Sequence, residues 1–230
     1  MIRLDKLLAE TGKGTRSEVK KMILKGRVSV NGESVKDASL KINEYADEVR
    51  LDGEKIEYVK YEYWLLNKPA GVISASKADL RNPDTPCVVD LIKERIHDDL
   101  FPVGRLDKDT EGLLLITNDG ELAHRLLSPG KHVDKRYYVE LDGELDEATA
   151  RSIENGVDIG DDKPTLPCTI ENIDKNRCEI IIHEGRYHQV KRMFEAFNLN
   201  VTYLKRLSMG SLTLGDLKTG EYRSIIYEEK

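Results

Sequence analysis

The chain has 230 residues, of which 39% are hydrophobic and 34% charged, as expected for a soluble globular protein of one or two domains. No apolar run approaches the ~20 residues of a membrane helix, and the opening MIRLDKLLAE is too charged to be a secretory signal. The three cysteines, Cys87, Cys168 and Cys178, form no CxxC pair. We therefore predict neither a disulfide scaffold nor a zinc site, and we expect a protein of the reducing cytoplasm.

Charge is distributed unevenly along the chain. The net charge is −6, yet residues 1–36 hold nine Lys and Arg against four Asp and Glu. This segment therefore carries +5, which leaves −11 on the remaining residues. Because binding to phosphates depends on local charge, the acidic total does not exclude a nucleic-acid partner.

The basic segment has the pattern of two short helices followed by a small sheet. Two sets of apolar residues have the i, i+3, i+4 spacing of a helix face: Leu4, Leu7, Leu8 and Val19, Met22, Ile23. Ser17 is predicted to cap the second helix at its start and Gly26 to end it. Apolar and polar residues then alternate around Asn31-Gly32, which predicts a β-hairpin. With a further strand over 47–53, the first domain is predicted to end near residue 58.

The remaining chain mixes strands and helices. Strands are predicted at 61–69, 112–119, 135–143, 168–173, 178–185, 201–207 and 210–215, and helices at 121–128, 146–156 and 187–197. Strands outnumber helices, and several follow one another directly. The predicted fold class is therefore α+β, with an antiparallel or mixed sheet.

A polar loop is predicted directly before a buried apolar strand at FPVGRLDKDTEGLLLIT, residues 101–117. It contains Arg105, Asp107, Asp109, Thr110 and Glu111. Loops on rigid strands are where catalytic groups tend to lie, although a solvated turn with Asp or Thr capping has the same pattern. The spacing does not fit Asp-x-Asp-x-Thr, so phosphotransfer is disfavoured.

Two more segments carry candidate site residues. In EGRYHQVKRMFEAF, residues 184–197, apolar residues predict one buried helix face, with Arg186 and His188 at the helix start and Lys191 off that face. A solvated amphipathic helix is the alternative, and a lone histidine argues against a metal site. In KRYYVEL, residues 135–141, strand alternation directs Tyr137 and Tyr138 to opposite faces, so that one is expected in the core and the other along a cleft.

Together these segments resemble the pseudouridine synthases, in the branch represented by ribosomal small subunit pseudouridine synthase A. GRLDKDTEGL at 104–113 matches the central motif, and further matches are NKPAGVIS at 67–74, EGRYHQVKRMF at 184–194 and GEYRSI at 220–225. The resemblance covers essentially the whole chain. It implies a small S4-like α/β RNA-binding domain over 1–58 and a catalytic domain with a mostly antiparallel or mixed sheet over 59–230.

The resemblance also implies roles for individual residues. Asp107 matches the catalytic aspartate, Tyr137 the active-site tyrosine, and Lys191 the basic residue that pairs with the aspartate. Arg105 matches the arginine that fills the gap left by the flipped uridine. The remaining residues expected to contact substrate or RNA are Arg186, His188, Arg16, Lys20 and Lys21.

The chemistry is consistent with these roles. Isomerising uridine requires breaking the N1–C1′ bond, turning the base over and joining C5 to C1′. A carboxylate can attack or stabilise the electron-poor carbon, and Lys191 would oppose the charge of Asp107 in a desolvated pocket. The ring of Tyr137 offers a flat surface to the base, and its hydroxyl could assist removal of the C5 proton. The planar guanidinium of Arg105 would offset part of the flipping cost.

The leading hypothesis is a synthase that acts on 16S ribosomal RNA, free or in the assembling small subunit. It is expected to be a cytoplasmic monomer with no metal, no cofactor and no membrane partner. The HQVKRMF match and the compact length without a basic tail favour the small subunit. Three alternatives remain open: a large-subunit synthase of the same branch, an inactive S4-type RNA-binding assembly factor, and a hydrolase that uses Asp107 and His188.

Overall fold

The computed structural model of the chain describes residues 1–44, 46–78, 83–128, 130 and 133–227. These residues form two compact units. The first comprises Met1–Glu62 together with Glu94–Asp99, and the second comprises Tyr63–Lys93 and the residues from Leu100 onward. The carboxylate of Glu62 accepts the backbone N–H groups of Ile96 (2.7 Å) and His97 (2.8 Å), which ties the later segment to the first unit. The predicted domain boundary after residue 58 stays a prediction.

The first unit contains two helices and six short strands among its described residues. In chain order the elements are β1 Ile2–Arg3, α1 Leu4–Glu10, α2 Arg16–Leu24, β2 Val28–Val30, β3 Glu33–Ser34, β4 Lys41–Ile42, β5 Val49–Leu51 and β6 Glu54–Ile56. A four-stranded sheet has the order β3-β2-β5-β6 and is antiparallel throughout, while β1 and β4 form a separate antiparallel pair. The predicted leucine stripe of α1 lies in the core, where Leu4 and Leu8 are fully buried.

Local sequence rules explain most of this unit, with one correction. The second helix is capped by Thr15 and not by Ser17: Thr15 Oγ1 accepts the N–H of Glu18 (3.3 Å), and the Glu18 carboxylate accepts the N–H of Thr15 (2.7 Å). This reciprocal capping box satisfies two amides that a cap at Ser17 would leave open. The hairpin prediction is confirmed, because Asn31 (φ 52°) and Gly32 (φ 86°) form the turn between β2 and β3.

The second unit is built on a large mixed sheet. Its elements are β7 Tyr63–Lys68, α3 Val88–Leu91, β8 Phe101–Pro102, β9 Glu111–Thr117, α4 Gly120–Leu127, β10 Lys135–Leu141, α5 Glu147–Glu154, β11 Thr169–Asp174, β12 Arg177–Ile182, α6 Gln189–Glu195, β13 Val201–Met209, β14 Leu212–Thr213 and β15 Tyr222–Ser224. The order β11-β12-β10-β13-β9-β7-β15 is extended by β14 on β13 and β8 on β9. Of these pairs only β13 with β9 is parallel. The α+β prediction with a mixed sheet is confirmed, and the short α3, β8 and β15 were not predicted.

Both faces of β9 are covered, which explains its continuous apolar run. Leu114 and Ile116 pack into one core cluster, whereas Leu113 and Leu115 pack into another on the opposite face. All four are fully buried. The strand is therefore a rigid support for the polar loop that precedes it.

Four adjacent strands place one residue each in a line across the sheet. Tyr137 of β10 pairs with Arg206 of β13, Arg206 pairs with Gly112 of β9, and Gly112 pairs with Lys68 of β7. Gly112 has φ 105°, and a Cβ there would lie 2.6 Å from the backbone nitrogen of Arg206 and nearer still to its carbonyl oxygen. Only glycine allows this approach of β9 to β13. Lys68, at one end of this line, contacts the loop 103–110, which carries Arg105 and Asp107.

Candidate active site

The loop 103–110 and the start of α6 enclose a cavity of about 120 Å³ in the second unit. Six of the nine residues predicted for the site line it: Arg105, Asp107, Tyr137, Arg186, His188 and Lys191. The cavity shares part of its lining with a larger groove of about 960 Å³. The other three predicted residues, Arg16, Lys20 and Lys21, are exposed on α2 of the first unit.

Asp107 lies between two basic side chains. His188 Nε2 is 3.3 Å from its Oδ1, and Lys191 Nζ is 3.3 Å from its Oδ2. His188 precedes α6 in a left-handed conformation (φ 48°), which is uncommon for a residue other than glycine. This conformation brings its ring to the carboxylate. The sequence prediction gave His188 a contact with RNA, and that contact stays a prediction.

Lys191 also binds a second carboxylate of the same loop. Its ammonium donates to Asp109 Oδ1 (2.7 Å) and Oδ2 (2.9 Å). Burial disfavours the ammonium, but the hydrogen bond to Asp109 and the charges of Asp107 and Asp109 outweigh it and raise the pKa of Lys191. In turn, the hydrogen bond from Lys191 lowers the pKa of Asp109. The sequence placed Asp109 in the loop without giving it a role.

Tyr137 is both a core residue and a cavity residue. It is 7% exposed, packs in the main core cluster and lines the cavity. Tyr138 lies on the opposite face, where its hydroxyl donates to Glu140 (2.7 Å) and its ring packs edge-on against Tyr203. The expectation of one core tyrosine and one cleft tyrosine is therefore wrong. Tyr137 lies both in the core and at the cavity, because the cavity opens on the covered face of β10.

The two predicted arginines differ in their surroundings. Arg105 is exposed and makes no hydrogen bond or ion pair with the described part of the chain. Arg186 donates to the carbonyls of Lys163 (2.6 Å) and Pro164 (2.8 Å) and to the carboxylate of Glu184 (3.0 Å). Most of its donors therefore hold the segment before β11, while Arg105 is available to a ligand.

Sequence analysis missed a buried lysine that holds the loop. Lys68 is fully buried, and its ammonium donates to the carbonyls of Thr110 (2.8 Å), Pro69 (3.0 Å) and Lys108 (3.3 Å). Burial lowers its pKa to about 8. A lysine inside the apolar segment YWLLNKP was the available signal, because a buried cation must find acceptors.

Two further basic residues were missed at the cavity wall. Lys135 is 7% exposed and donates to the Val133 carbonyl (3.0 Å), and burial together with the charge of Arg206 lowers its pKa. Arg206 is 2% exposed, and its Nε donates to the Leu113 carbonyl (2.7 Å). Arg206 Nη2 and Thr110 Oγ1 are buried without a partner among the described residues.

The arrangement is suited to attack on an electron-poor carbon, or to stabilisation of the positive charge that develops there. One half-buried carboxylate, Asp107, is surrounded by cations in a cavity with an aromatic wall. Within the described ranges, no group of three or more His, Cys, Asp and Glu could hold a metal ion. No helix in those ranges is long and apolar enough to cross a membrane.

Comparison with known proteins decides the family. A family model described as RNA pseudouridylate synthase matches residues 62–196, and an S4 domain matches residues 2–44. The chain belongs to the RNA pseudouridylate synthase family. As a pseudouridine synthase it isomerises uridine in RNA, and its S4 domain precedes the synthase fold, as the sequence resemblance implied.

Relatives of this synthase are named for both ribosomal subunits. It is 39% identical to ribosomal small subunit pseudouridine synthase A of Yersinia pestis, over 99% of this chain and 96% of the relative. It is 37% identical to ribosomal large subunit pseudouridine synthase B of Bacillus subtilis, over 100% and 94%. A crystal structure of a pseudouridylate synthase aligns with a TM-score of 0.67 and 36% identity, covering 98% of this chain and 96% of that one. The six predicted site residues that line the cavity all lie within the matched synthase region.

Proposed function

We propose that this pseudouridine synthase modifies a uridine of 16S ribosomal RNA, free or in the assembling small subunit, with Asp107 as its catalytic carboxylate. The observation that carries the proposal is the position of Asp107. It lies in the cavity 3.3 Å from Lys191 and 3.3 Å from His188, and Tyr137 and Arg105 also line this cavity. We expect the enzyme to act as a cytoplasmic monomer.

The proposed reaction begins with the uridine flipped out of its stack. Flipping costs a few kcal/mol, and the exposed guanidinium of Arg105 can offset part of it by stacking in the vacated place. The base enters the cavity against the ring of Tyr137. This ring is fixed by the core on its other side, so the base meets a surface that does not have to be ordered first.

Asp107 then assists cleavage of the N1–C1′ bond, by attack or by charge stabilisation of the electron-poor carbon. Lys191 opposes its negative charge at 3.3 Å and limits the cost of holding a carboxylate in a partly desolvated cavity. The freed base turns over and C5 bonds to C1′, which displaces the Asp107 carboxylate if it has bonded to that carbon. C5 then loses its proton and N1 takes up a proton, so that the product is an isomer of uridine. The Tyr137 hydroxyl is the group that we propose to assist removal of the C5 proton.

The S4 domain supplies affinity in this proposal. Arg16, Lys20 and Lys21 are exposed on α2 and can follow a phosphate backbone. Asp5 is buried near Arg16 (3.9 Å) and Lys20 (3.8 Å) and accepts two hydrogen bonds from Arg3. Because Arg3 makes both hydrogen bonds to Asp5, it balances most of that charge, and the exposed Arg16, Lys20 and Lys21 remain available to RNA.

A large-subunit RNA is the second candidate substrate, because a relative of similar identity carries that name. Mapping pseudouridines in both ribosomal RNAs from cells that lack the protein distinguishes the two candidate substrates. We expect a site to be lost from small-subunit RNA, restored by the wild-type chain and not by Asp107→Asn. Loss from large-subunit RNA alone would favour the second candidate. Restoration by Asp107→Asn would refute the catalytic role of Asp107.

A further inference from the structure

An exposed aromatic ring stands beside the cavity without a role in the proposed reaction. Tyr187 is 76% exposed. Its ring stacks on the imidazole of His188, with centroids 3.8 Å apart and planes inclined by 18°. One face of the phenol ring is therefore covered, and most of the remaining ring surface lies in solvent. Water is a poor partner for such a surface, so a second flat group would gain by covering it.

The ring is held in place from two directions. Arg192 donates to the Tyr187 carbonyl (3.0 Å), which fixes the backbone before α6. His188, which carries the stacked ring, is itself 3.3 Å from Asp107. Asp107, His188 and Tyr187 thus form a continuous series of contacts that begins at the reacting centre. A group stacked on Tyr187 would lie beside the cavity and outside it.

The surroundings favour a segment of nucleic acid. Tyr187 and His188 line the groove of about 960 Å³ that shares residues with the cavity. Arg105, Lys108, Lys135 and Arg186 line this groove as well, against Asp107 and Glu184 as its acidic residues. A flat aromatic surface in a groove with excess positive charge is what single-stranded RNA binds, since every base has a π-face and every linkage a phosphate.

We propose that the stacked pair Tyr187–His188 is a subsite for the nucleobase next to the target uridine. The proposal rests on the proposed function in one respect, namely that the flipped uridine occupies the cavity. When the uridine leaves its stack, the neighbouring base loses a stacking partner. Tyr187 would supply a new stacking partner for that neighbouring base. Arg105 would instead occupy the place in the RNA stack that the uridine has left.

The test uses the full-length chain and a short single-stranded RNA with one uridine. In one version 2-aminopurine precedes the uridine, and in another it follows it. Stacking on an aromatic ring quenches this base, so we expect quenching by the wild type and by Tyr187→Phe at one of the two positions. Tyr187→Ala should bind without that quenching. Equal fluorescence changes for wild type and Tyr187→Ala at both positions would overturn the proposal.

A second measurement excludes a merely structural effect of the substitution. The same RNA is made with an abasic nucleotide at the position that is quenched, and as a control with an abasic nucleotide at its far end. Wild type and Tyr187→Phe should bind the first RNA about tenfold more weakly than the intact RNA. Tyr187→Ala should bind this abasic RNA and the intact RNA equally. An abasic penalty that persists in Tyr187→Ala, or that is absent in the wild type, would overturn the subsite.

Failure of the subsite and failure of the proposed function give different results. Isomerisation of the target uridine in ribosomal RNA is assayed separately with the same proteins. Normal turnover by the wild type without a Tyr187-dependent abasic penalty rejects the subsite alone. A Tyr187-dependent penalty without any turnover rejects the proposed function and leaves the stacking site standing.

Discussion

Lys191 binds Asp109 through both carboxylate oxygens, at 2.7 and 2.9 Å, across 82 residues of sequence. Asp107 is farther from the same ammonium, at 3.3 Å. One cation thus joins α6 to two anions of the loop 103–110. The side chain of Asp109 is 73% exposed, whereas that of Asp107 is 29% exposed. Because screening weakens exposed pairs, the pair with Asp107 is expected to matter more for the chemistry.

Asp109→Asn and Lys191→Met should therefore differ in severity. Loss of the exposed carboxylate should change the single-turnover rate by less than about fivefold. Loss of the ammonium leaves Asp107 without its main cation and should cost about 100-fold or more. Single-turnover kinetics at saturating RNA measure both. Equal losses in the two variants would mean that Asp109 is the functional partner of Lys191.

Asp107→Asn should abolish isomerisation and leave RNA binding close to that of the wild type. The amide can act neither as a nucleophile nor as an anion, so we expect a loss of about 1,000-fold or more in the single-turnover rate. Filter binding with the same RNA gives the affinity. Turnover within about tenfold of the wild type would remove Asp107 from the catalytic role.

The pKa of Lys68, about 8, predicts opposite effects of high pH on activity and on stability. The neutral amine has two N–H donors for three carbonyls, so the loop is held less firmly. The single-turnover rate should therefore fall as the pH rises above about 8. A rate that stays level there would show that Lys68 does not position the loop in this way.

The stability effect follows from the difference between folded and unfolded states. An exposed lysine has a pKa of 10.5, so between about pH 8 and 10.5 the folded protein has released a proton that the unfolded chain still holds. The contribution of Lys68 to the free energy of unfolding should rise across this interval and stay constant below it. Denaturant titrations of the wild type and Lys68→Met at several pH values measure the difference. A contribution that falls as the pH rises would show that the folded state does not lower the pKa of Lys68.

Gly112→Ala should destabilise the second unit more than a matched glycine substitution. Gly112 and Gly160 both have positive φ, but a Cβ at Gly160 meets no atom within 4 Å. Both substitutions incur backbone strain, and only Gly112→Ala pushes β13 away from β9 at Arg206. We expect it to lower the free energy of unfolding by about 2 kcal/mol more than Gly160→Ala. Equal thermal shifts in the two variants would show that the sheet accommodates the methyl group.

Replacing Arg16, Lys20 and Lys21 together by glutamine should weaken RNA binding and reduce its salt dependence. Each lost phosphate contact lowers the log–log salt slope by about 0.7 on single strands and about 0.9 on duplex. The single-turnover rate at saturating RNA should not change, because these residues lie outside the cavity. Lys175→Gln, on an exposed turn of the second unit, is the control. An unchanged salt slope would place the RNA contacts elsewhere.

The sequence by itself determined the elements whose cause is local. The Asn31-Gly32 turn needs two residues that tolerate positive φ, and the run Leu113–Ile116 needs apolar cover on both faces. The GRLDKDTEGL segment likewise identified the polar loop before β9. The cap of α2 is local as well, yet Ser17 was predicted in place of Thr15, because only the pairing with Glu18 distinguishes two neighbouring hydroxyl residues.

Only the tertiary structure decided which side chains of the site meet. Sheet order brings β10, β13, β9 and β7 side by side, so Tyr137 and Lys68 reach the same loop from segments 69 residues apart along the chain. The same order buries Lys68 under three carbonyls and seals one face of Tyr137 in the core. The sharing of Lys191 between Asp107 and Asp109 depends on differences of less than an ångström in how α6 lies on the loop. Periodicity and spacing carry no information on distances of that size, because they report which face a residue occupies and not which neighbour it touches.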